Sequence, residues 1–150
     1  MTASGISPEL SRPLALTAIP PAGQEVEVIA SPAECRALAQ RFALPAIERL
    51  SCAFALNREP GAVVRASGIL RAEVVQVCRV TLDEFPAFVE ERFTVCFVPA
   101  GSESASFDPE APDEIPYAGG VLDLGEAAAE QLALALDPWP RKPDLPPFDA

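Results

Sequence analysis

Three successive stretches of the chain alternate apolar and polar residues with a period of two, and no other feature limits the fold as much. In residues 46–58 the apolar set is Leu50, Cys52, Phe54 and Leu56. In residues 62–80 it is Val64, Ala66, Leu70, Val74, Cys78 and Val80, and in residues 85–98 it is Phe85, Val89, Phe93, Val95 and Phe97. Successive side chains of a strand point to opposite faces, so each pattern predicts a long strand with one buried side. Three such runs suit an antiparallel sheet with one covered face. The other face of the middle run carries Arg65, Ser67, Arg71, Glu73 and Arg79, and is expected to meet solvent or a partner. Gly68 reads as a bulge in so long a strand, and Pro60-Gly61 as the turn before it.

Shorter elements flank these runs. Leu14 and Leu16, then Val26, Val28 and Ala30, alternate on either side of Ile19-Pro20-Pro21-Ala22-Gly23, which predicts two strands joined by a turn. Ser31-Pro32-Ala33-Glu34 is a helix start, with Ser31 as N-cap, Pro32 in the first turn and Glu34 reaching back to close a capping box. Cys35, Leu38, Ala39 and Phe42 continue it as one apolar stripe, and the helix should stop near Leu44-Pro45. Asp123-Leu124-Gly125-Glu126 opens a second helix whose Leu124, Ala128, Leu132 and Leu136 would dock on the sheet, ending at Asp137-Pro138. The 17 prolines concentrate outside these elements. Residues 1–12 read as a loose arm, 99–120 as an acidic flexible loop and 139–150 as an extended tail. The chain is therefore expected to be one α+β domain: a curved or partly closed antiparallel sheet of about five strands, two packed helices and an acidic loop.

Composition then removes whole classes of chemistry. Histidine is absent, so a Ser-His-Asp triad, a Cys-His pair and any His-containing zinc site are impossible. The single lysine, Lys142, sits among prolines, a poor place for a buried Schiff-base amine. Neither Gly-rich phosphate-binding pattern occurs. Cys35, Cys52, Cys78 and Cys96 are 17, 26 and 18 residues apart with no C-x-x-C pair, and Cys96 falls on the opposite strand face from Val95 and Phe97. They read as small buried hydrophobes of a reducing compartment, so neither metal nor cofactor is expected. No compact carboxylate cluster inside the body offers Mg²⁺ a converging site, so the chain is expected not to be an enzyme. The N-terminal residues resemble no secretory signal and no apolar run is long enough for a membrane span, which predicts a soluble cytoplasmic protein.

The formal net charge of −11 is uneven. Residues 1–100 hold 11 acids and 9 bases, whereas residues 101–150 hold 11 acids and 2 bases. Two surfaces follow. Arg65, Arg71 and Arg79, with Arg49 on the same face of the neighbouring strand, form a row that could track an RNA backbone, or could be partly paired with Glu73, Glu48 or Glu90. Asp123, Glu126, Glu130 and Asp137 share a narrow arc of the second helix, flanked by Trp139. That arc could hold a basic protein, or could be the solvated back of a helix.

The order of parts resembles a known family. Ser11-Arg12-Pro13-Leu14 opens the chain, and Gln76-Val77-Cys78-Arg79-Val80-Thr81-Leu82 follows a strand pair. After an acidic loop come Asp123-Leu124-Gly125-Glu126 and the block from Glu130 to Arg141. This is similar to the YceD-type large ribosomal RNA subunit accumulation family in its alphaproteobacterial form, over roughly residues 8–143. The family pattern C-x-x-C-L meets Cys78 and Leu82 here, with Thr81 where the second cysteine would stand. Members that keep the pair are suspected of binding metal, and that property does not carry over. The resemblance implies a non-enzymatic factor for 23S ribosomal RNA accumulation and large-subunit maturation. Its partner would be the 23S precursor, a basic large-subunit ribosomal protein or both; the alternative is an acidic holdase for such a protein.

Overall fold

The computed structural model describes residues 9–102 and 110–143. In chain order the elements are β1 (Pro13–Ala15), a 3₁₀ turn (Leu16–Ala18), β2 (Gln24–Ile29), α1 (Pro32–Arg41), β3 (Ala46–Glu59), β4 (Val63–Val77), β5 (Glu84–Pro99), β6 (Asp113–Tyr117), β7 (Val121–Asp123) and α2 (Leu124–Ala135). The three period-two runs are β3, β4 and β5, paired antiparallel as neighbours in a five-stranded sheet of order β2-β3-β4-β5-β6. The class is α+β. The sheet is open rather than closed, with β2 and β6 as its edges, and it is mixed because β6 runs parallel to β5.

One face of the sheet holds the core. Leu50, Cys52, Phe54 and Leu56 of β3 and Val64, Ala66, Leu70 and Val74 of β4 are buried there, with Val95 and Phe97 of β5. Both helices pack on that face, α1 through Cys35, Leu38 and Ala39, and α2 through Leu124, Ala127, Ala128 and Leu132. Gly68 is not a bulge. It stands opposite Phe54 on one side and Phe93 on the other, and the two rings meet edge to face over it at 5.8 Å. A β-carbon at Gly68 would lie 2.3 Å from the Phe93 ring. The register irregularity falls instead in β3, between Ile47 and Arg49.

Both helix starts form as the sequence requires. The Ser31 hydroxyl accepts from the Glu34 N–H while the Glu34 carboxylate accepts from the Ser31 N–H, and Asp123 accepts from the Glu126 N–H. The N-terminal strands are a correction. β1 and β2 do not form a hairpin: β1 pairs with β7 in a separate two-stranded ribbon, and β2 pairs with β3. The prolines and the 3₁₀ turn between β1 and β2 send them to different partners.

Three segments expected to be irregular are also corrected in part. Leu10 is fully buried, the Ser11 hydroxyl donates to Asp123 at 2.7 Å and the Arg12 N–H donates to it at 2.8 Å, so residues 9–12 are not a loose arm. The 99–120 stretch contains β6 with buried Tyr117, whose hydroxyl donates to the Ala62 carbonyl. Residues 139–143 lie against the turn after β4. Residues 1–8 of the arm, 103–109 of the acidic loop and 144–150 of the tail lie outside the described residues.

Arg12 ties these pieces together. Its guanidinium holds both oxygens of Glu34 at 2.7 and 2.8 Å and donates to the Ile29 carbonyl at 2.9 Å, while its own carbonyl accepts from the Leu124 N–H. Gly125 is the space this junction needs, since a β-carbon there would meet the backbone of Leu10 and Arg12 at 2.8–2.9 Å. Gly125→Ala is expected to cost about 2 kcal/mol, read as a lower midpoint in urea unfolding. The hydrogen bonds from Arg12 hold the Glu34 carboxyl at about 2, below its ordinary 4.5. A carboxylate depressed on folding contributes stability that is complete above its unfolded value and lost as pH falls through its folded one. The stability lost between pH 4.5 and 2 should therefore be smaller in Glu34→Gln than in the natural chain, as measured by unfolding across that window.

Candidate functional site

The exposed face of the sheet is where the arginines come together, though not as one free row. Arg65 and Arg71 point outward from β4, and Arg49 points outward from β3 beyond the register shift. Register then sets glutamates against two of them. Arg71 stands opposite Glu90 and binds it at 2.8 Å, and Arg49 stands opposite Glu73 at 3.9 Å. Arg65 stands between Asn57 and Cys96 and has no ion-pair partner among the described residues. Two members of the row are thus paired, Arg49 with Glu73 and Arg71 with Glu90.

Arg79 is a correction. β4 ends at Val77, and the Cys78 carbonyl accepts from the Leu82 N–H to close a turn, with Leu82 left-handed at φ 64°. Arg79 therefore leaves the strand face and lies over the Trp139 ring at 4.6 Å, and Val80 is exposed rather than inward. The chain after α2 straps this turn. The Arg79 N–H donates to the Pro140 carbonyl at 2.9 Å, and Lys142 reaches Asp83 at 3.0 Å. Beneath the strap Cys78 is fully buried. Burial pushes its thiol up, but hydrogen bonds from the Thr81 hydroxyl and from the N–H groups of Lys142, Thr81 and Val80 outweigh it and bring it to about 7. Cys52, buried in the core without such donors, is pushed up to about 12.

The acidic arc is likewise not a free edge. Asp123 accepts from Ser11, Arg12 and Glu126 and serves as structure. Glu126 pairs with Arg41 at 3.1 Å, and Arg41 also holds Glu9. Glu130 is exposed, its carboxyl raised by partial burial and by neighbouring Glu126. Asp137 lies beyond the helix, which ends at Ala135, and accepts from the Trp139 N–H. Among the described residues no three His, Cys, Asp or Glu side chains converge as a metal site.

A groove of about 910 Å³ crosses the exposed face over Ala53, Ala55, Ser67 and Ile69, with Glu25 and Glu27 of β2 on one side and Arg92 and Thr94 of β5 on the other. Neither wall was evident as a site from the sequence. The available signal was Glu25-Val26-Glu27, whose period-two spacing puts both carboxylates on one strand face.

Two helices on one side of an open sheet, and charge displayed across the other, define an α+β protein with one exposed sheet face. Residues 66–148, more than half of the chain, match the family described as "Large ribosomal RNA subunit accumulation protein YceD", and the chain belongs to that family. No curated protein and no solved structure matches it. Among the described residues no helix is long and apolar enough to cross a membrane.

The Arg79–Trp139 contact gives a direct check on the strap. In a double-mutant cycle, Arg79→Ala and Trp139→Ala should show a coupling of about 0.5–1 kcal/mol in unfolding free energy. Strict additivity would mean that the ring and the guanidinium do not hold each other.

Proposed function

We propose that this protein supports accumulation of large-subunit ribosomal RNA as a non-enzymatic factor, and that it does so by binding a basic protein component of the maturing subunit. Membership of the YceD family supplies the ribosomal context. The observation that carries the choice of partner is the pairing of Arg71 with Glu90 and of Arg49 with Glu73 on the face that would have met RNA. A phosphate backbone is held by cations that exchange their counterions for phosphates. Arginines with a carboxylate beside them, in a chain of net charge −11, attract phosphate less strongly than free ones. The same negative charge attracts a basic protein at long range. The non-enzymatic reading rests on the missing histidine and on the employment of candidate carboxylates elsewhere: Asp123 caps a helix, Glu126 holds Arg41 and Asp83 holds Lys142.

Affinity capture from lysate at moderate salt, with and without ribonuclease, tests this reading. Basic large-subunit proteins are expected to remain bound after nuclease and to leave as salt is raised. Capture of 23S precursor that disappears with nuclease, taking the proteins with it, would make RNA the partner instead. A second arm uses purified components. The natural chain should bind ribosomal RNA weakly, and the Glu73→Gln/Glu90→Gln variant, which releases Arg49 and Arg71, should bind it more tightly.

A further inference from the structure

The exposed face treats its acids in two ways. Inside the sheet Glu73 and Glu90 each have an arginine across the strand. At the β2 edge Glu25 and Glu27 have none among the described residues, and they stand beside the groove. The backbone beneath them is also unpaired. The Ala30 N–H donates to the Leu50 carbonyl, so Ala30 bonds inward to β3. By the alternation of an antiparallel ladder, Val28 and Val26 do the same, and Glu25, Glu27 and Ile29 turn their N–H and C=O groups outward. Arg12 takes the Ile29 carbonyl at one end, and no backbone partner reaches the Glu25–Glu27 stretch among the described residues.

We propose that the free edge of β2 docks an extended lysine- or arginine-rich polypeptide segment, which adds to the sheet as a further strand and sets its basic side chains against Glu25 and Glu27. The proposal rests on the reading of the partner as a basic protein and names the surface that holds it. Alternate residues of a strand repeat about every 7 Å, which is also the Glu25-to-Glu27 repeat, so one register matches both carboxylates. Directly opposite residues of an antiparallel pair share a face, which places the basic side chains on the groove side. There the small floor of Ala53 and Ala55 leaves room for their long aliphatic stems. Backbone pairing supplies the hold and the two carboxylates supply the selection.

The probe is a synthetic peptide alternating lysine and threonine over about eight residues, titrated into the full chain by fluorescence anisotropy. Glu27→Pro, read against Glu27→Gln so that the lost carboxylate is common to both, tests the backbone. The Glu27 N–H points away from β3, so proline removes an edge donor and leaves the β2–β3 ladder intact. It should bind about tenfold more weakly than Glu27→Gln, with unchanged circular dichroism. Glu25→Lys/Glu27→Lys tests the charges and should abolish binding. Amide shifts of Glu25 and Glu27 on titration should mark the edge directly. Binding that is equally strong in Glu27→Pro and Glu27→Gln, or no binding by the natural chain, overturns the proposal. If lysate capture of basic proteins persists in both variants, the edge is wrong and the functional reading stands; if the natural chain captures none, the functional reading itself fails.

Discussion

One arginine fixes how the separate pieces of this fold meet. Arg12 lies just before β1, yet it touches the end of β2, the capping box of α1 and the N-cap of α2. Each of those groups needs a partner on its own account. A helix start leaves N–H groups unsatisfied, and a cap that supplies an acceptor adds a charge that must itself be placed. Glu34 closes the α1 box and Asp123 caps α2, so two carboxylates stand near one another in a partly buried junction. Arg12 answers Glu34 with a two-pronged salt bridge and Asp123 with its backbone N–H. Gly125 lets the α2 backbone come close enough for this to happen. The junction ties together two helices whose apolar faces pack on the same side of the sheet, and the other face is left exposed.

The sheet itself depends on its central rows. Across β3, β4 and β5 the row Phe54–Gly68–Phe93 replaces a middle side chain with two rings that meet over the glycine. Burial of Phe54 contributes about 2–3 kcal/mol, half-buried Phe93 contributes less, and the ring pair adds its edge-to-face preference. On the other side of the same strands lies the groove, floored by Ala53, Ala55, Ser67 and Ile69. The packed core and the exposed groove thus share the same three strands.

The fold was legible wherever a residue's neighbours in sequence decide its state. The period-two runs of β3 to β5, the Ser31–Glu34 box and the Asp123 cap are local patterns, and each appears where the sequence puts it. What the sequence did not reveal depends on partners far along the chain. Leu14 and Leu16 alternate like a strand of the main sheet, but β1 pairs with β7, more than a hundred residues away. β6 carries Pro116 and only sparse apolar residues, and it becomes a strand because β5 offers it an edge. Gly68 looked like a bulge because nothing local announces Phe93. The arginine row was half legible: residue parity placed Arg65 and Arg71 on one face, and register alone disclosed that Glu90 stands across from Arg71. Arg79 could not be placed by parity, because the turn after Val77 breaks the period.

The two stretches that carry the family resemblance most clearly, Gln76 to Leu82 and Glu130 to Arg141, are far apart in sequence and together in space. Arg79 lies on Trp139, Gln76 donates to the Asp137 carbonyl and Lys142 closes on Asp83 just beyond. The turn around Cys78 is thus held by a strap of ordinary side chains. Charges spent there, and at the Arg12 and Arg41 junctions, are fixed by structure and have little freedom to meet a partner. The charges left without ion-pair partners among the described residues include Arg65, Glu25 and Glu27, and all three lie on the exposed sheet face. On the proposed reading, recognition falls to that face and its β2 edge, rather than to the helix arc or the strapped turn that the sequence makes more conspicuous.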